Sequence, residues 1–266
     1  MIERLRAICL DLDGVVYSGG APVPGAADAI TELRDAGVAL RFITNTSSRP
    51  RHALVERLAG YGVAVAESEL FTPAQAACER LRRTLGDGEP LALFVPPATR
   101  GEFAEFEPLP PGAESGAAAV VIGDLGDGWD FAALNRAFRL LMADPATPLL
   151  ALGATRYWAA SDGLRLDTGA ISALLERAVG RRATVCGKPS KRFFRAAAAS
   201  LDCSPEQVLM VGDDILGDVR GAQSAGLSAA LVKTGKYRPR DLAGDVRPDA
   251  LLDSLAELPS WWARRR

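Results

Sequence analysis

The chain has 266 residues, of which 48% are hydrophobic and 24% charged, a composition typical of a soluble globular protein with one large or two modest domains. Its net charge of −2 argues against a broad nucleic-acid-binding surface. His52 is the only histidine, so sites built from two or three histidine ligands are excluded. An enzyme of this composition is expected to use carboxylates as nucleophiles and proton-transfer groups.

Cysteine usage and hydropathy both bear on the compartment. The cysteines are widely spaced and form no C-x-x-C pair, which predicts free, buried thiols in a reducing cytosol; they are Cys9, Cys78, Cys186 and Cys203. No apolar stretch reaches the roughly 18 residues of a membrane span. The charged residues 1–6 run directly into a predicted strand, which is not the pattern of a signal peptide. A cytoplasmic protein without a membrane partner is therefore expected.

Apolar runs and helical periodicity alternate along the chain. The first part predicts strands at 7–10 and 38–43 and helices at 26–36 and 51–59. The middle part predicts strands at 91–95, 118–122 and 148–152 and helices at 131–142 and 171–179. The last part predicts strands at 207–211 and 227–232 around a helix at 217–225. Continuous apolar strands alternating with helices indicate an α/β fold with a doubly wound parallel sheet.

Two breaks in this alternation predict the domain organisation. Residues 86–90 interrupt the pattern with glycine and proline, and residues 180–182 lead out of the last helix of the middle part. We therefore expect a core formed by residues 1–87 and 183–266 and an inserted α/β domain formed by residues 88–182. Trp261 and Trp262 are expected to pack the end of the chain onto the core.

Two carboxylates follow the first predicted strand. Asp11 ends the strand, Asp13 lies two residues further on, and Gly14 allows a sharp turn. Ligands of doubly wound sheets bind beyond the carboxyl ends of the strands. Two close carboxylates repel unless a cation lies between them, so the pair suits a nucleophile and a general acid/base that work with a divalent metal ion. The alternative is an ordinary strand-ending turn, where Asp and Gly are common.

Phosphate-binding groups are expected at two later positions. Thr44 and Asn45 follow the second predicted strand ahead of a helix N-terminus, where side-chain and backbone donors can bind an anion. Lys188 lies between a glycine and a proline before another helix, where a lysine can neutralise a phosphate. A simple capped loop and an exposed turn lysine are the respective alternatives.

Three further acids follow the strand at 207–211. Asp213 leaves the strand tip directly, Asp214 is next, and Asp218 begins the following helix. Acids this close are unfavourable without a cation, and ligands that are all oxygen favour Mg²⁺ over zinc. Helix capping would explain Asp218 but not all three. Because all these groups fall at carboxyl ends of predicted parallel strands, they predict a Mg²⁺-dependent phosphoryl-transfer site with an aspartyl-phosphate intermediate.

The order and spacing of these residues resemble the haloacid dehalogenase (HAD) superfamily over nearly the whole chain. The matching motifs are D-x-D-G at 11–14, a strand-end threonine at 44, a lysine at 188 and G-D-D-x-x-x-D at 212–218. The resemblance implies that Asp11 is the nucleophile and that Asp13 protonates the leaving oxygen and then activates water.

The same resemblance implies roles for the other site residues. Thr44 and Asn45 would hold the phosphoryl oxygens, and Lys188 would balance charge between the nucleophile and the phosphate. Mg²⁺ would be bound by Asp11, Asp213 and the backbone carbonyl of Asp13. Asp214 and Asp218 would lie outside the metal ligands or orient the lysine.

The spacing of the motifs resembles one branch of the superfamily. The 33 positions from Asp11 to Thr44 are too few for a cap domain, whereas the 144 positions from Thr44 to Lys188 can hold one. A cap in that gap is similar to the C2-capped, class IIA branch with its NagD-like phosphatases. Segments 23–26, 187–189 and 233–237 are similar to the phospholysine phosphohistidine inorganic pyrophosphate phosphatase branch. The resemblance implies a small phosphorylated substrate (a phosphate ester, pyrophosphate or a phosphoramidate) and a homodimer formed through the cap.

Other functions are compatible with parts of this pattern. Dehalogenation uses a nucleophilic aspartate but neither a second acid nor Mg²⁺, so Asp13 and the acidic cluster argue against it. Most sugar phosphomutases of the superfamily carry the cap in the first gap, which is too short here. The remaining alternative is a catalytically weak regulatory or binding protein with the HAD fold, and the presence of Asp11, Asp13, Lys188 and Asp213 disfavours it.

Overall fold

The computed structural model describes residues 5–160 and 162–264. Residues 1–4 of the charged N-terminal segment lie outside this range. The chain divides into two compact units, the first formed by Met1–Thr44, Arg51–Phe71 and Lys188–Arg266 and the second by Asn45–Pro50 and Thr72–Gly187. Each unit is built around its own parallel sheet.

The regular elements follow the predicted alternation. The strands are β1 (Ala7–Asp11), β2 (Tyr17–Ser18), β3 (Ala21–Pro22), β4 (Ala39–Ile43), β5 (Leu70–Phe71), β6 (Leu91–Phe94), β7 (Ala119–Ile122), β8 (Leu149–Ala151), β9 (Tyr157–Ala160), β10 (Gly163–Leu166), β11 (Thr184–Val185), β12 (Val208–Gly212), β13 (Ser228–Val232) and β14 (Ala250–Leu252). The helices are α1 (Ala26–Asp35), α2 (Arg51–Gly60), α3 (Pro73–Thr84), α4 (Phe131–Ala143), α5 (Thr168–Val179), α6 (Lys191–Ala199), α7 (Gly221–Ala225) and α8 (Leu258–Ala263). A π-helical segment, Ile215–Arg220, precedes α7.

The first unit contains a six-stranded parallel sheet in the order β14-β13-β12-β1-β4-β5. Every residue of β1 and β12 is buried, as expected for central strands covered on both faces. Helix α1 buries the stripe Ala26, Ala29, Ile30 and Leu33 against this core, with the spacing of an amphipathic helix. Trp261 and Trp262 are buried in the same core, as predicted.

The second unit contains a four-stranded parallel sheet in the order β11-β8-β7-β6 and an antiparallel hairpin of β9 and β10. One apolar cluster joins α3 to β6 and Phe103, and another joins α4 and α5 to Phe94 and Ile122. Helix α3 starts at a cap in which the Thr72 hydroxyl accepts a hydrogen bond from the Gln75 backbone N–H at 3.4 Å.

The compact units run to other residues than the predicted core and inserted domain, whose boundaries at 87/88 and 182/183 stay a prediction. Helix α3 buries Ala77 and Leu81 in the same cluster as Leu91, so the second unit begins at Thr72. Strand β11 pairs with β8, so the second unit continues to Gly187. Packing and strand pairing, which glycine- and proline-rich breaks do not report, decide where the units separate.

The predicted α/β fold with a doubly wound parallel sheet is confirmed. Cys9, Cys78 and Cys186 are buried thiols as expected, whereas Cys203 is a partly exposed thiol. Within the two described ranges, no helix combines the length and apolarity that crossing a membrane would need.

Candidate active site

Three neighbouring strands of the first unit bring predicted site residues to one edge of its sheet. Strands β12, β1 and β4 are adjacent and parallel, so their carboxyl ends lie at the same edge. Asp11 is the last residue of β1, Asp213 follows β12 and Thr44 follows β4. The side chains of Asp11, Thr44 and Asp213 are all buried.

A buried lysine joins two of the acids. The Lys188 ammonium lies 2.7 Å from an oxygen of Asp11 and 2.7 Å from an oxygen of Asp218. Only 5% of the Lys188 side chain is exposed, so these charge-assisted contacts are shielded from water. The contact with Asp218 agrees with a lysine-orienting role for that residue.

Three buried carboxylates share this location. Asp11, Asp213 and Asp218 each offer an oxygen, and these oxygens lie within 4.8 Å of one another. The Lys188 ammonium compensates one negative charge, which leaves a deficit of two positive charges when all three acids are ionised. A divalent cation would supply that missing charge.

The pKa values of the three acids reflect this imbalance. Burial raises the pKa of Asp11. The positive charge of Lys188 acts to lower this pKa, and the negative charge of Asp213 acts to raise it. Burial raises the pKa of Asp213 to about 6 and that of Asp218 to about 6. Burial acts to lower the pKa of Lys188, but the negative charges of Asp11 and Asp218 act more strongly in the opposite direction. The pKa of Lys188 is therefore raised above its ordinary value. Lys188 therefore stays charged at neutral pH, while the acids are unfavourable as anions until a cation joins them.

The orientation of Asp213 fits a metal ligand. Its Oδ2 accepts a hydrogen bond from the Lys236 backbone N–H at 2.7 Å. Its Oδ1 is buried and has no hydrogen-bond partner among the residues that the structure describes. A buried carboxylate oxygen without a donor is costly unless a cation binds it. Together with Asp11 and Asp218, Asp213 forms an all-oxygen donor set suited to a hard divalent cation.

Asp214 has a different place from its neighbour. Its Oδ1 accepts hydrogen bonds from the backbone N–H groups of Leu216 at 2.9 Å and Gly217 at 2.8 Å, which caps the π-helical segment. Its own backbone N–H donates to Asp218 Oδ2 at 3.1 Å. Asp214 thus lies outside the carboxylate cluster and holds Asp218 in position.

Comparison with known proteins identifies the family. A model of the haloacid dehalogenase-like hydrolases matches residues 8–106, and a HAD-hydrolase-like model matches residues 185–258. The chain is 38% identical over 261 residues to phospholysine phosphohistidine inorganic pyrophosphate phosphatase of Rattus norvegicus, with 96% of this chain and 93% of that protein covered. The chain belongs to the haloacid dehalogenase-like hydrolase family.

Solved structures support the same assignment. The HAD chain is similar to p-nitrophenyl phosphatase from Archaeoglobus fulgidus, with a TM-score of 0.87, 26% identity and coverage of 97% of this chain and 99% of that one. It is also similar to NagD from E. coli K-12, with a TM-score of 0.84, 26% identity and coverage of 96% and 98%. The predicted family and its NagD-like character are confirmed, and the chain is a HAD-family phosphatase.

Asp13 of this HAD phosphatase is placed apart from the buried acids. Its side chain is exposed, and residue 13 forms an isolated bridge with Tyr17 of β2. Gly14 has a φ of 84°, and a Cβ there would lie 1.9 Å from Asp213 Oδ2, so the turn requires glycine. An exposed carboxylate two residues from the nucleophile suits proton exchange with a leaving group and water, and this role of Asp13 stays a prediction. A metal contact through its main-chain carbonyl also stays a prediction.

Thr44 and Asn45 fall in different units. The Thr44 backbone N–H donates to the Phe71 carbonyl at 3.3 Å within the first unit. Asn45 belongs to the second unit, where its Oδ1 lies 2.8 Å from the place that a Cβ at Gly187 would take. Gly187 therefore leaves room for the Asn45 side chain, and any larger residue there would displace it. The phosphate-binding roles of Thr44 and Asn45 stay predictions.

The segment after β13 contributes to the site in a way that the sequence motifs did not predict. Residues 233–237 were identified only as similar to one branch of the family, with no role in the site. In the structure, the Lys236 backbone N–H donates a hydrogen bond to Asp213. A signal was present, since two of the four lysines in the chain, Lys233 and Lys236, flank Gly235 there. Sequence motifs record side chains, whereas this contact uses a backbone donor that every residue but proline carries.

His52 provides a test of the carboxylate-based site. It lies near the start of α2 and is exposed. We expect His52→Ala to leave kcat/KM for 4-nitrophenyl phosphate within about twofold of the parent protein, because exposed substitutions remote from the chemistry change free energies by roughly 0.5 kcal/mol or less. Steady-state kinetics check this expectation, and a fall of about tenfold or more, about 1.4 kcal/mol, would contradict it.

Proposed function

We propose that this HAD phosphatase hydrolyses a small phosphorylated substrate in a Mg²⁺-dependent reaction with an aspartyl-phosphate intermediate on Asp11. The observation that carries the proposal is the buried Lys188 ammonium between Asp11 and Asp218, together with an oxygen of Asp213 that forms no hydrogen bond with any described residue. This arrangement holds one carboxylate as an anion while leaving a deficit of positive charge in the cluster.

In the first step, an oxygen of Asp11 attacks phosphorus and the bond from phosphorus to the leaving oxygen breaks. The nucleophile must be ionised, and the Lys188 contact at 2.7 Å opposes the burial that raises its pKa. One oxygen of Asp11 also accepts a hydrogen bond from the Leu12 backbone N–H at 2.8 Å, which fixes the carboxylate. Asp13 donates its proton to the leaving oxygen.

In the second step, Asp13 removes a proton from water, and the resulting oxygen nucleophile attacks phosphorus. The bond from phosphorus to Asp11 breaks, inorganic phosphate leaves and the Asp11 carboxylate is restored. Thr44 and Asn45 are assigned to hold the phosphoryl oxygens, with Lys188 neutralising charge. The exposure of Asp13 supports its contact with the leaving group in the first step and with the attacking water in the second.

Asp11, Asp213 and the main-chain carbonyl of Asp13 are proposed to hold Mg²⁺. When bound, the ion supplies positive charge that neutralises the phosphoryl oxygens and lowers the repulsion between phosphate and nucleophile. The all-oxygen donor set and the raised pKa values of Asp213 and Asp218 support a hard divalent cation at this position. Asp218 binds the Lys188 ammonium, and the Asp214 backbone N–H donates a hydrogen bond to Asp218.

The names of the relatives support a small phosphorylated substrate. Phosphate esters, pyrophosphate and phosphoramidates all present a terminal phosphoryl group to the same nucleophile, so each is compatible with the proposed chemistry. We assign substrate selection to the second unit as a C2-type cap, because it is inserted between the segments that carry Thr44 and Lys188. A homodimer formed through that unit and a cytoplasmic location complete the proposal, and the buried thiols of Cys9, Cys78 and Cys186 support a reducing compartment.

The competing functions have less support in the site. Dehalogenation does not require the Asp213 and Asp218 carboxylates, which are retained at the energetic cost of burial. A regulatory protein with an inactive HAD fold would not need a buried carboxylate cluster whose charge a divalent cation must complete. The site therefore favours transfer of a phosphoryl group to water.

The test is phosphate release from 4-nitrophenyl phosphate by the purified full chain, with Mg²⁺ and after chelation by EDTA. We expect turnover that depends on Mg²⁺ and returns when Mg²⁺ is restored, because the three acids need the cation's charge. Asp35→Asn, which alters an exposed carboxylate at the end of α1, is the matched control and should retain turnover. Absence of turnover, with the parent protein and Asp11→Asn indistinguishable, would overturn the proposal.

A further inference from the structure

The segment after β13 encloses the carboxylate of Asp213. The Lys236 backbone N–H donates to Asp213 Oδ2 at 2.7 Å. The Thr234 hydroxyl donates to the Gly14 carbonyl, which ties this segment to the turn after β1. Asp213 therefore lies between two backbone segments that are more than 200 residues apart in sequence and joined by one side-chain hydrogen bond.

Two glycines make the close approach possible. Gly235 has a φ of 64°, and a Cβ there would lie 2.1 Å from Asp213 Oδ2 and 2.6 Å from the Gly14 Cα. A Cβ on Gly14 would lie 1.9 Å from the same Oδ2. No side chain fits at either position without moving the carboxylate.

The two carboxylate oxygens of Asp213 have different surroundings. Oδ2 is fixed by the Lys236 N–H and by contact with the glycines. Oδ1 is buried and, among the described residues, has no hydrogen-bond partner. A carboxylate held by one oxygen presents the other in a defined direction, which is how residues outside a metal's ligand set usually orient its ligands.

We propose that Thr234, Gly235 and the backbone N–H of Lys236 are positioning residues that orient Asp213 so that Oδ1 faces the divalent cation shared with Asp11. The inference rests on the proposed function, because it assigns a purpose to the metal site. It adds the segment after β13, which carries no predicted ligand, to a site otherwise formed at the ends of β1 and β12.

The side chain of Lys236 is separate from this role. Its ammonium lies 3.8 Å from Asp214, and 69% of the side chain is exposed. Lys236→Ala retains the backbone N–H and removes only the side chain. The positioning role therefore predicts that Lys236→Ala does not weaken metal binding.

The test measures binding of Mn²⁺ to the full chain by electron paramagnetic resonance, alongside phosphate release. Gly235→Ala is expected to weaken Mn²⁺ affinity by about 10–100-fold, the usual effect of removing a group that orients a metal ligand. Thr234→Val should also weaken Mn²⁺ affinity. Thr234→Ser should retain the affinity of the parent protein, because serine keeps the hydroxyl that binds Gly14.

Gly37→Ala is the matched control. Gly37 also has a positive φ, 74°, but a Cβ there would meet nothing within 4 Å, so this variant carries the backbone strain without the contact. Its Mn²⁺ affinity should equal that of the parent protein. Parent-like affinity in both Gly235→Ala and Thr234→Val, or equal weakening in Gly37→Ala, would overturn the positioning role alone. A parent protein that does not bind Mn²⁺ would overturn the metal site itself.

Discussion

Asp11→Asn is expected to lower phosphate release from 4-nitrophenyl phosphate by about 10⁴-fold or more, the range measured when a covalent nucleophile or its direct partner is removed from a hydrolase. The amide has the size of the carboxylate but cannot form the bond to phosphorus. Lys188 and Asp218 keep their contact at 2.7 Å in the variant, and the buried cluster loses a negative charge. The protein is therefore expected to fold with a thermal transition no lower than that of the parent.

A second variant separates the nucleophile from the general acid. Because 4-nitrophenolate leaves readily without a proton, Asp13→Asn should still pass through the first step and then stall when water must be activated. Mass spectrometry of the acid-quenched protein should find a phosphoryl group on Asp11 in Asp13→Asn and none in Asp11→Asn. Equal accumulation in both variants, or label on another residue, would rule out Asp11 as the nucleophile. Asp35→Asn again serves as the control.

The central strands of the first unit could be predicted because burial on both faces leaves a plain signature. Residues 7–10 are an unbroken apolar run, and the structure buries all of β1. The same reasoning located β4, β12 and β13, and with them the edge at which Asp11, Thr44 and Asp213 lie. Ligand position follows from such a sheet, so the location of the candidate site was predictable.

Helix α3 shows where the pattern was too weak. Its buried face consists mainly of small residues, with Ala74, Ala77 and Cys78 ahead of Leu81, and alanine contrasts little with its polar neighbours. The capping pair Thr72-Pro73 was a usable signal that the sequence interpretation did not take up. Without α3, the sequence places the start of the predicted inserted domain after this helix, at residue 88.

The contacts within the site depended on geometry that spacing does not reveal. Sequence order predicted that Lys188 meets Asp11, Asp13 and Asp213, whereas the buried cluster in the structure contains Asp218 in place of Asp13. The exposed position of Asp13 depends on the turn after β1. The pairing of Lys188 with Asp218 depends on the π-helical segment, which contains Asp218 and which the sequence predicted as an ordinary helix. π-Helical segments depart from regular periodicity and are frequent at functional sites.

Lys188→Met is expected to have the second large effect, on stability as well as on turnover. Methionine fills a similar volume but leaves Asp11 and Asp218 buried without their cation. Removing one partner of a buried ion pair typically costs about 3–5 kcal/mol, which in a chain of this size lowers the thermal transition by roughly 6–20 °C. Phosphate release should fall with it, because the phosphoryl group loses its neutralising charge.

The stability loss should depend on pH in a defined direction. Burial already raises the pKa of Asp218 to about 6 and raises that of Asp11, and loss of Lys188 raises both further. The native variant then holds protons that the unfolded chain, whose aspartates titrate near ~3.9, has released, so stability falls as the pH rises above that value. The difference between variant and parent should therefore be largest near about pH 8 and shrink toward about pH 5, where both acids take up protons.

Thermal unfolding of the metal-free proteins, followed by circular dichroism across this pH range, measures the effect. Lys191→Met is the matched control, because Lys191 is an exposed lysine at the start of α6, and its transition should stay within a few degrees of the parent's at every pH. A Lys188→Met deficit that is constant with pH would show that lost packing, and not uncompensated carboxylates, causes the instability. A deficit that grows toward acid pH would contradict the assignment of Lys188 as the counter-charge of Asp11 and Asp218.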